Sequence, residues 1–155
     1  MPPSQILLRI PRKYGKVPTD LTRFNRAGIS TVFTDQRGCT LPYRLMRPDN
    51  VEPGKKYPLV VFLHGAGERG TDNAKTMVHG VPQFASAANR KQYPCFLIAP
   101  QCPEFRRWVE VDWSAKSHSQ PPDPSEPLSL VFELIGQLGR ELPIDAKRLY
   151  VTGLS

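Results

Sequence analysis

The run Leu59-Val60-Val61-Phe62-Leu63 is apolar at every position, and it constrains the fold more than any other feature of the chain. A strand with one wet face alternates apolar and polar residues, whereas a strand without alternation must be covered on both faces. In a chain of 155 residues, that double cover points to a central parallel strand in an α/β architecture. A second such run, Phe96-Leu97-Ile98-Ala99, follows a stretch from 72 to 89 that can form a helix, although Gly80 and Pro82 interrupt it. The order strand, helix, strand is a βαβ unit.

The flanks add to this frame. Residues 30 to 34 and 40 to 46 alternate around Asp35-Gln36-Arg37-Gly38, which predicts a hairpin. Pro42 lacks a ladder donor and therefore places the second strand near an edge. Ser125 can cap a helix from Glu126 to about Leu142, with Val131, Leu134, Ile135, Leu138 and Leu142 on one side and Glu133, Gln137 and Glu141 on the other. Pro143 ends it, and Arg148-Leu149-Tyr150-Val151-Thr152 reads as the last strand. Between Pro100 and Pro127 the chain is rich in proline and polar residues, with Trp108 and Trp113 embedded, as in a long ordered loop.

Charge narrows the function classes. The net charge is +7, but residues 1 to 26 hold Arg9, Arg12, Lys13, Lys16, Arg23 and Arg26 against Asp20 alone, a net +5 that leaves only +2 elsewhere. A nucleic-acid surface would cluster Lys and Arg on a folded element, so none is expected here. The domain reading is a basic, disordered tail over 1 to 28 and one partial folded unit over 29 to 155. Ile6-Leu7-Leu8 is too short for a secretory h-region, and no run is long enough to span a membrane. The default expectation is a cytoplasmic protein, or a secreted or periplasmic one if the true start differs. The closest pair of the three cysteines, Cys95 and Cys102, flanks an extended run. Such a run spans about 23 Å, beyond the roughly 7 Å that a disulfide tolerates, so free thiols are expected. No cysteine or histidine spacing suits a metal, and no cofactor is expected.

Two motifs carry chemistry. The first is Gly153-Leu154-Ser155, the opening half of a G-x-S-x-G turn, preceded by a β-rich run. Such a turn exposes a serine hydroxyl for nucleophilic attack, while an ordinary strand-to-loop turn would give the serine no chemical role. The second is His64-Gly65-Ala66-Gly67-Glu68-Arg69-Gly70. Gly65, Gly67 and Gly70 formally match G-x-G-x-x-G, a dinucleotide pattern, but no acid stands between Asp72 and Glu104 to hold a ribose. The other reading is an H-G-G-G-type loop, whose small residues let a backbone N–H face an oxyanion.

The segments Tyr57 to Gly70, Phe96 to Pro103, Trp108, Asp112-Trp113 and Arg148 to Ser155, taken in order, resemble the bacterial esterase or predicted-peptidase branch of the α/β hydrolases. That branch is related to carboxylesterases, polyhydroxybutyrate depolymerases and prolyl oligopeptidase catalytic domains. The resemblance covers residues 29 to 155. It implies the N-terminal part of an α/β hydrolase, with a β-hairpin, then a mostly parallel sheet with flanking helices, incomplete at the C-terminus. It further implies a serine hydrolase of small-molecule esters, or of peptides, working through an acyl-enzyme on Ser155.

On that resemblance Ala66 and Gly67 supply an oxyanion N–H. Glu68 and Arg69 could close over substrate, and Trp108 and Trp113 could wall a pocket. Those four could equally be structural, as an ion pair in a turn and as aromatics packing a loop. The second oxyanion donor, the acid and the base would follow Ser155, because His64, His79 and His118 all precede it. His64 reads as a loop brace, and the 155-residue chain is expected to be inactive alone. Its last strand, left as a sheet edge with Leu149, Tyr150 and Val151 uncovered, would make it marginally stable, aggregation-prone or dependent on a partner. A non-catalytic α/β binding module remains the alternative, with a nucleotide-binding domain behind it.

Overall fold

The computed structural model describes residues 28–154. The basic tail, Gly28 aside, and Ser155 lie outside the described residues. Five strands, β1 (Ile29–Thr34), β2 (Thr40–Met46), β3 (Tyr57–Leu63), β4 (Phe96–Pro100) and β5 (Ile144–Gly153), form one sheet in the order β1-β2-β4-β3-β5. β1 and β2 are the expected hairpin, closed at Thr34 and Thr40. Asp35 holds the turn by accepting the N–H groups of Arg37 and Cys39 at 2.9 and 2.8 Å. β2 runs antiparallel to β4, whereas β4, β3 and β5 are mutually parallel.

The unbroken apolar runs are explained by two separate cores. Leu59 and Val61 of β3 and Phe96 and Ile98 of β4 pack with Leu130, Val131, Leu134 and Leu138 of α3 (Glu126–Glu141). Their neighbours Val60, Phe62, Leu97 and Ala99 face the opposite side, against Val81 and Phe84 of α1 (Val81–Ala85). Each large side chain so covered contributes about 1.5–3 kcal/mol by leaving water. Helices on both faces make this a three-layer arrangement, with β4 buried along its whole length.

α3 begins where expected, with Ser125 Oγ accepting the Leu128 N–H at 3.3 Å. It stops because Leu142, ahead of Pro143, is pushed into extended backbone. Leu130 joins its buried face, while Ile135 and Leu142 are only partly covered.

Three expectations need correction. The stretch 72 to 89 is not one helix but a 3-10 turn (Lys75–Met77), α1 and α2 (Ala87–Gln92). Gly80 takes φ +73° directly before α1, where a Cβ would meet the Phe62 ring at 2.4 Å, and Pro82 is tolerated in the first turn of α1. The strand carrying Pro42 is internal, paired on both sides. The proline fits because the β2–β4 ladder ends at Tyr43 and Pro100; the Pro42 carbonyl, beyond it, takes the Gln101 N–H at 2.8 Å. Finally, β5 starts at Ile144, ahead of Arg148, and is irregular between the pairs Tyr57–Ile144 and Leu59–Leu149. There Asp145 accepts the Lys147 N–H and the Arg148 guanidinium, at 3.0 and 2.7 Å.

Among the described residues β5 pairs only with β3. Leu149, Tyr150 and Val151 are 44%, 55% and 69% exposed, the uncovered row expected of an edge strand. The cysteines Cys39, Cys95 and Cys102 are free thiols. No helix among the described residues is long and apolar enough to cross a membrane.

Candidate active site

Parallel pairing brings the carboxyl ends of β3 and β5 together, with Leu63 opposite Gly153. The Leu154 N–H then donates to Leu63 O at 3.0 Å. A Cβ on Gly153 would lie 2.1 Å from that same carbonyl oxygen, so only glycine lets the strands close here. The chain leaving β3 and the chain leaving β5 therefore emerge side by side. Carboxyl ends of parallel strands are where α/β proteins place their sites.

The loop after β3 is fastened from beneath. His64 is 2% exposed. Its Nδ1–H donates to Gly65 O at 2.7 Å, and its Nε2 accepts the Cys102 N–H at 2.9 Å, a pairing that assigns the neutral Nδ1–H tautomer. Burial holds its pKa below the ordinary histidine value. Trp108 closes the other side by donating its indole N–H to His64 O at 3.0 Å. With both ring nitrogens engaged, His64 is a brace.

A 3-10 turn (Ala66–Glu68) follows, whose first internal bond runs from the Glu68 N–H to Gly65 O at 3.3 Å. The amides of Ala66 and Gly67 precede that bond and so have no partner within the turn. The chain then continues irregularly to Lys75, and the first α-helix begins only at Val81. A helix opening on the last glycine, which the dinucleotide reading of Gly65, Gly67 and Gly70 requires, is absent among the described residues.

A second set of ties lies deeper. Gln101, fully buried, accepts the Asn73 N–H at 2.5 Å and donates to Glu68 O and Asp72 Oδ1 at 3.0 and 2.9 Å. Asn73, at φ +54°, uses its side-chain amide to reach Ser30 Oγ, Thr31 O and Tyr43 O in the hairpin. Asp72 also accepts the amides of Ala74 and Lys75, and these bonds bring its pKa down to about 2.

A cleft of about 270 Å³ opens above this platform, bordered by Gly65, Ala66, Arg69, Trp108, Trp113 and Leu154. Its base includes Cys102, whose thiol is pushed up to about 11 by burial and stays protonated. Of the residues singled out in the sequence, the structure brings Ala66, Arg69, Trp108 and Trp113 together there, but not Gly67 or Glu68. Glu68 turns toward His79, 3.7 Å away, and Arg69 donates to Ala66 O at 2.9 Å, so these two do not form the expected pair.

Sequence reasoning missed Arg107, Gln101 and Asn73. Nothing in their spacing marks them, because each acts through contacts 28 to 43 positions away or through a ring met only in the fold. A larger cavity, about 540 Å³, is bounded by Tyr57, Tyr93 and Tyr150 at the amino end of β3. It lies away from the glycine loop and its platform.

No family model matches the chain, and no curated protein sequence does. Among solved structures, a thermostable esterase matches with a TM-score of 0.73 and 42% identity over 82% of this chain. The chain carries part of an α/β hydrolase fold. A CE1 ferulic acid esterase from Anaeromyces mucronatus, solved with ferulic acid, shares that fold at a TM-score of 0.52 and 15% identity, with 82% of this chain and 48% of that one covered. The 42% identity relates the chain to esterases, and the chain spans 34% of the thermostable esterase's length.

Proposed function

We propose that the chain is the N-terminal portion of a serine hydrolase that cleaves carboxylic esters through an acyl-enzyme on Ser155. The observation that carries this reading is the glycine-only contact between Gly153 and Leu63 O. It brings the segment leading to Ser155 against the mouth of the glycine loop, within one cleft. The 42% identity to a thermostable esterase supports the same reaction class.

Ser155 Oγ attacks the ester carbonyl, the alcohol leaves, and water releases the acyl group. The Ala66 amide is one oxyanion donor. It is favoured over that of Gly67 because Ala66 borders the cleft. The second donor, the acid and the catalytic histidine come from sequence that follows Ser155 in the whole protein. His64 does not serve as base, since accepting the serine proton would cost the Cys102 N–H its acceptor. Losing one oxyanion donor costs about 3–4 kcal/mol of transition-state stabilisation and a serine without its base is a weak nucleophile, so on this reading the 155-residue chain alone should show no measurable turnover.

The test is hydrolysis of p-nitrophenyl acetate and butyrate by the 155-residue chain and by a protein continued through the downstream coding sequence. The longer protein should turn over both esters, and Ser155→Ala should abolish turnover. A folded longer protein that is silent on both would sink the reading and leave a non-catalytic binding module.

A further inference from the structure

Among the described residues bordering the cleft beside Leu154, two are arginines, Arg69 and Arg107, and none is a carboxylate. Both guanidinium groups lie against Trp113, 5.9 and 5.1 Å from the ring centroid. Stacking on an indole orders a guanidinium plane while leaving its edge N–H groups free to bond. Arg69 gives bonds to Ala66 O and, at 3.4 Å, to Arg106 O, and Arg107 gives one to Val111 O. With five donors on each guanidinium, most remain available.

Several other arginines are treated differently. Arg106, whose carbonyl accepts from Arg69, is matched by Glu110 at 3.3 Å and Glu126 at 2.8 Å. Arg37, Arg90 and Arg148 each have an aspartate partner. Among the described residues, neither Arg69 nor Arg107 forms an ion pair. Asp112, next to Trp113 in sequence, accepts the N–H and hydroxyl of Ser114 at 2.9 and 2.6 Å and also feels the charge of Arg107, without an ion-pair contact between them. Two cations on one ring repel one another unless an anion joins them, and a carboxylate fits the fork of either guanidinium.

From this we infer that the cleft is a specificity subsite for a carboxylate carried by the substrate, and that the preferred substrates are half-esters of dicarboxylic acids. The inference rests on the esterase reading above. Arg107 and Arg69 hold the free carboxylate of the acyl portion, Trp113 lies along its methylene chain, and the scissile carbonyl is left toward Ala66. Neutral acyl groups of equal length forgo the charged contacts.

The experiment uses the protein continued through the downstream coding sequence and compares mono-4-nitrophenyl adipate with its methyl-capped diester, following nitrophenol release. The half-ester should be preferred in kcat/KM by about 10-fold, the worth of one charge-assisted bond. The preference should fall toward one in Arg107→Gln, persist in part in Arg107→Lys, and shrink in 0.5 M salt. Equal or faster hydrolysis of the diester by the unaltered protein overturns the inference while leaving the esterase reading intact. If neither ester is hydrolysed, the esterase reading fails, and the cleft is read by titrating adipate against tryptophan fluorescence. A saturable change that Arg69→Gln and Arg107→Gln each weaken sustains carboxylate binding, and no change overturns it.

Discussion

The chain leaving β3 and the chain leaving β5 meet at one cleft, but they are held by opposite means. The β3 side is tied by polar side chains from distant segments: His64 to Cys102, Gln101 to Asn73 and Glu68, and Asn73 to the hairpin. The β5 side has one backbone approach, allowed by the missing side chain of Gly153, and an exposed apolar flank. A loop with amides left unbonded within its turn needs many anchors, because each freed amide is otherwise a liability. A strand end that must only be close to its neighbour needs empty space. The comparison teaches that a site can be positioned as firmly by an absent Cβ as by a network.

The most severe way to break this arrangement is Gly153→Ala. A Cβ 2.1 Å from a backbone oxygen cannot be absorbed by a side-chain rotation, so a loss of about 3 kcal/mol is expected in urea unfolding. An unchanged midpoint would mean that β5 is not seated as described.

Gln101→Ala tests the other side. It leaves the Asn73 N–H buried without its acceptor and unties Glu68 O, for an expected loss of about 2 kcal/mol. Activity of the whole protein should fall with it, since the Ala66 turn loses its floor. A stability loss with unaltered activity would separate the network from the site.

Titration sharpens the contrast further, because His64 and Asp72 both anchor the β3 side. His64 is neutral in the fold with its pKa held down by burial. Its contribution is therefore complete above the unfolded histidine pKa of about 6.5 and is lost as pH falls through the lower folded value. Asp72, brought down to about 2, contributes above its unfolded pKa of about 3.9 and is lost only as pH drops toward 2. Stability should thus decline in two stages on acidification, the second reduced in Asp72→Asn and shared with Asp35, Asp112 and Asp145, whose hydrogen bonds also hold them below the usual carboxylate range. A single stage would assign the loop's order to other groups.

The smallest effect on folding is expected at the exposed flank. Val151→Thr, at a position 69% exposed, should alter stability by less than about 0.5 kcal/mol while reducing association of the 155-residue chain in light scattering. Unchanged association would exonerate the β5 edge.

Much of this fold is legible in the residues themselves. Leu59 to Leu63 and Phe96 to Ala99 read as doubly covered strands because neither short run has a wet face, and Ser125 announces α3 through its cap. The place of the hairpin strand was not legible: Pro42 argues for an edge, and only the early end of β4 reveals an internal strand with one unneeded donor. Nor was the subdivision of 72 to 89, where Gly80 is set by its approach to the Phe62 ring.

The candidate site divides the same way. His64, Ala66, Arg69, Trp108, Trp113 and the Gly153 turn stand out in the sequence because their types and order carry chemistry. Arg107, Gln101 and Asn73 do not, since an arginine, a glutamine and an asparagine are common in any loop. The sequence determined which segments are strands, because these follow from local polarity and backbone freedom, and it supplied the glycine loop and Ser155 on which the proposed chemistry rests. Tertiary structure alone decided that Gly153 abuts Leu63, that Glu68 turns from the cleft and that two unpaired arginines share one indole. Those outcomes depend on distances between segments far apart in the chain, and no local preference encodes a distance.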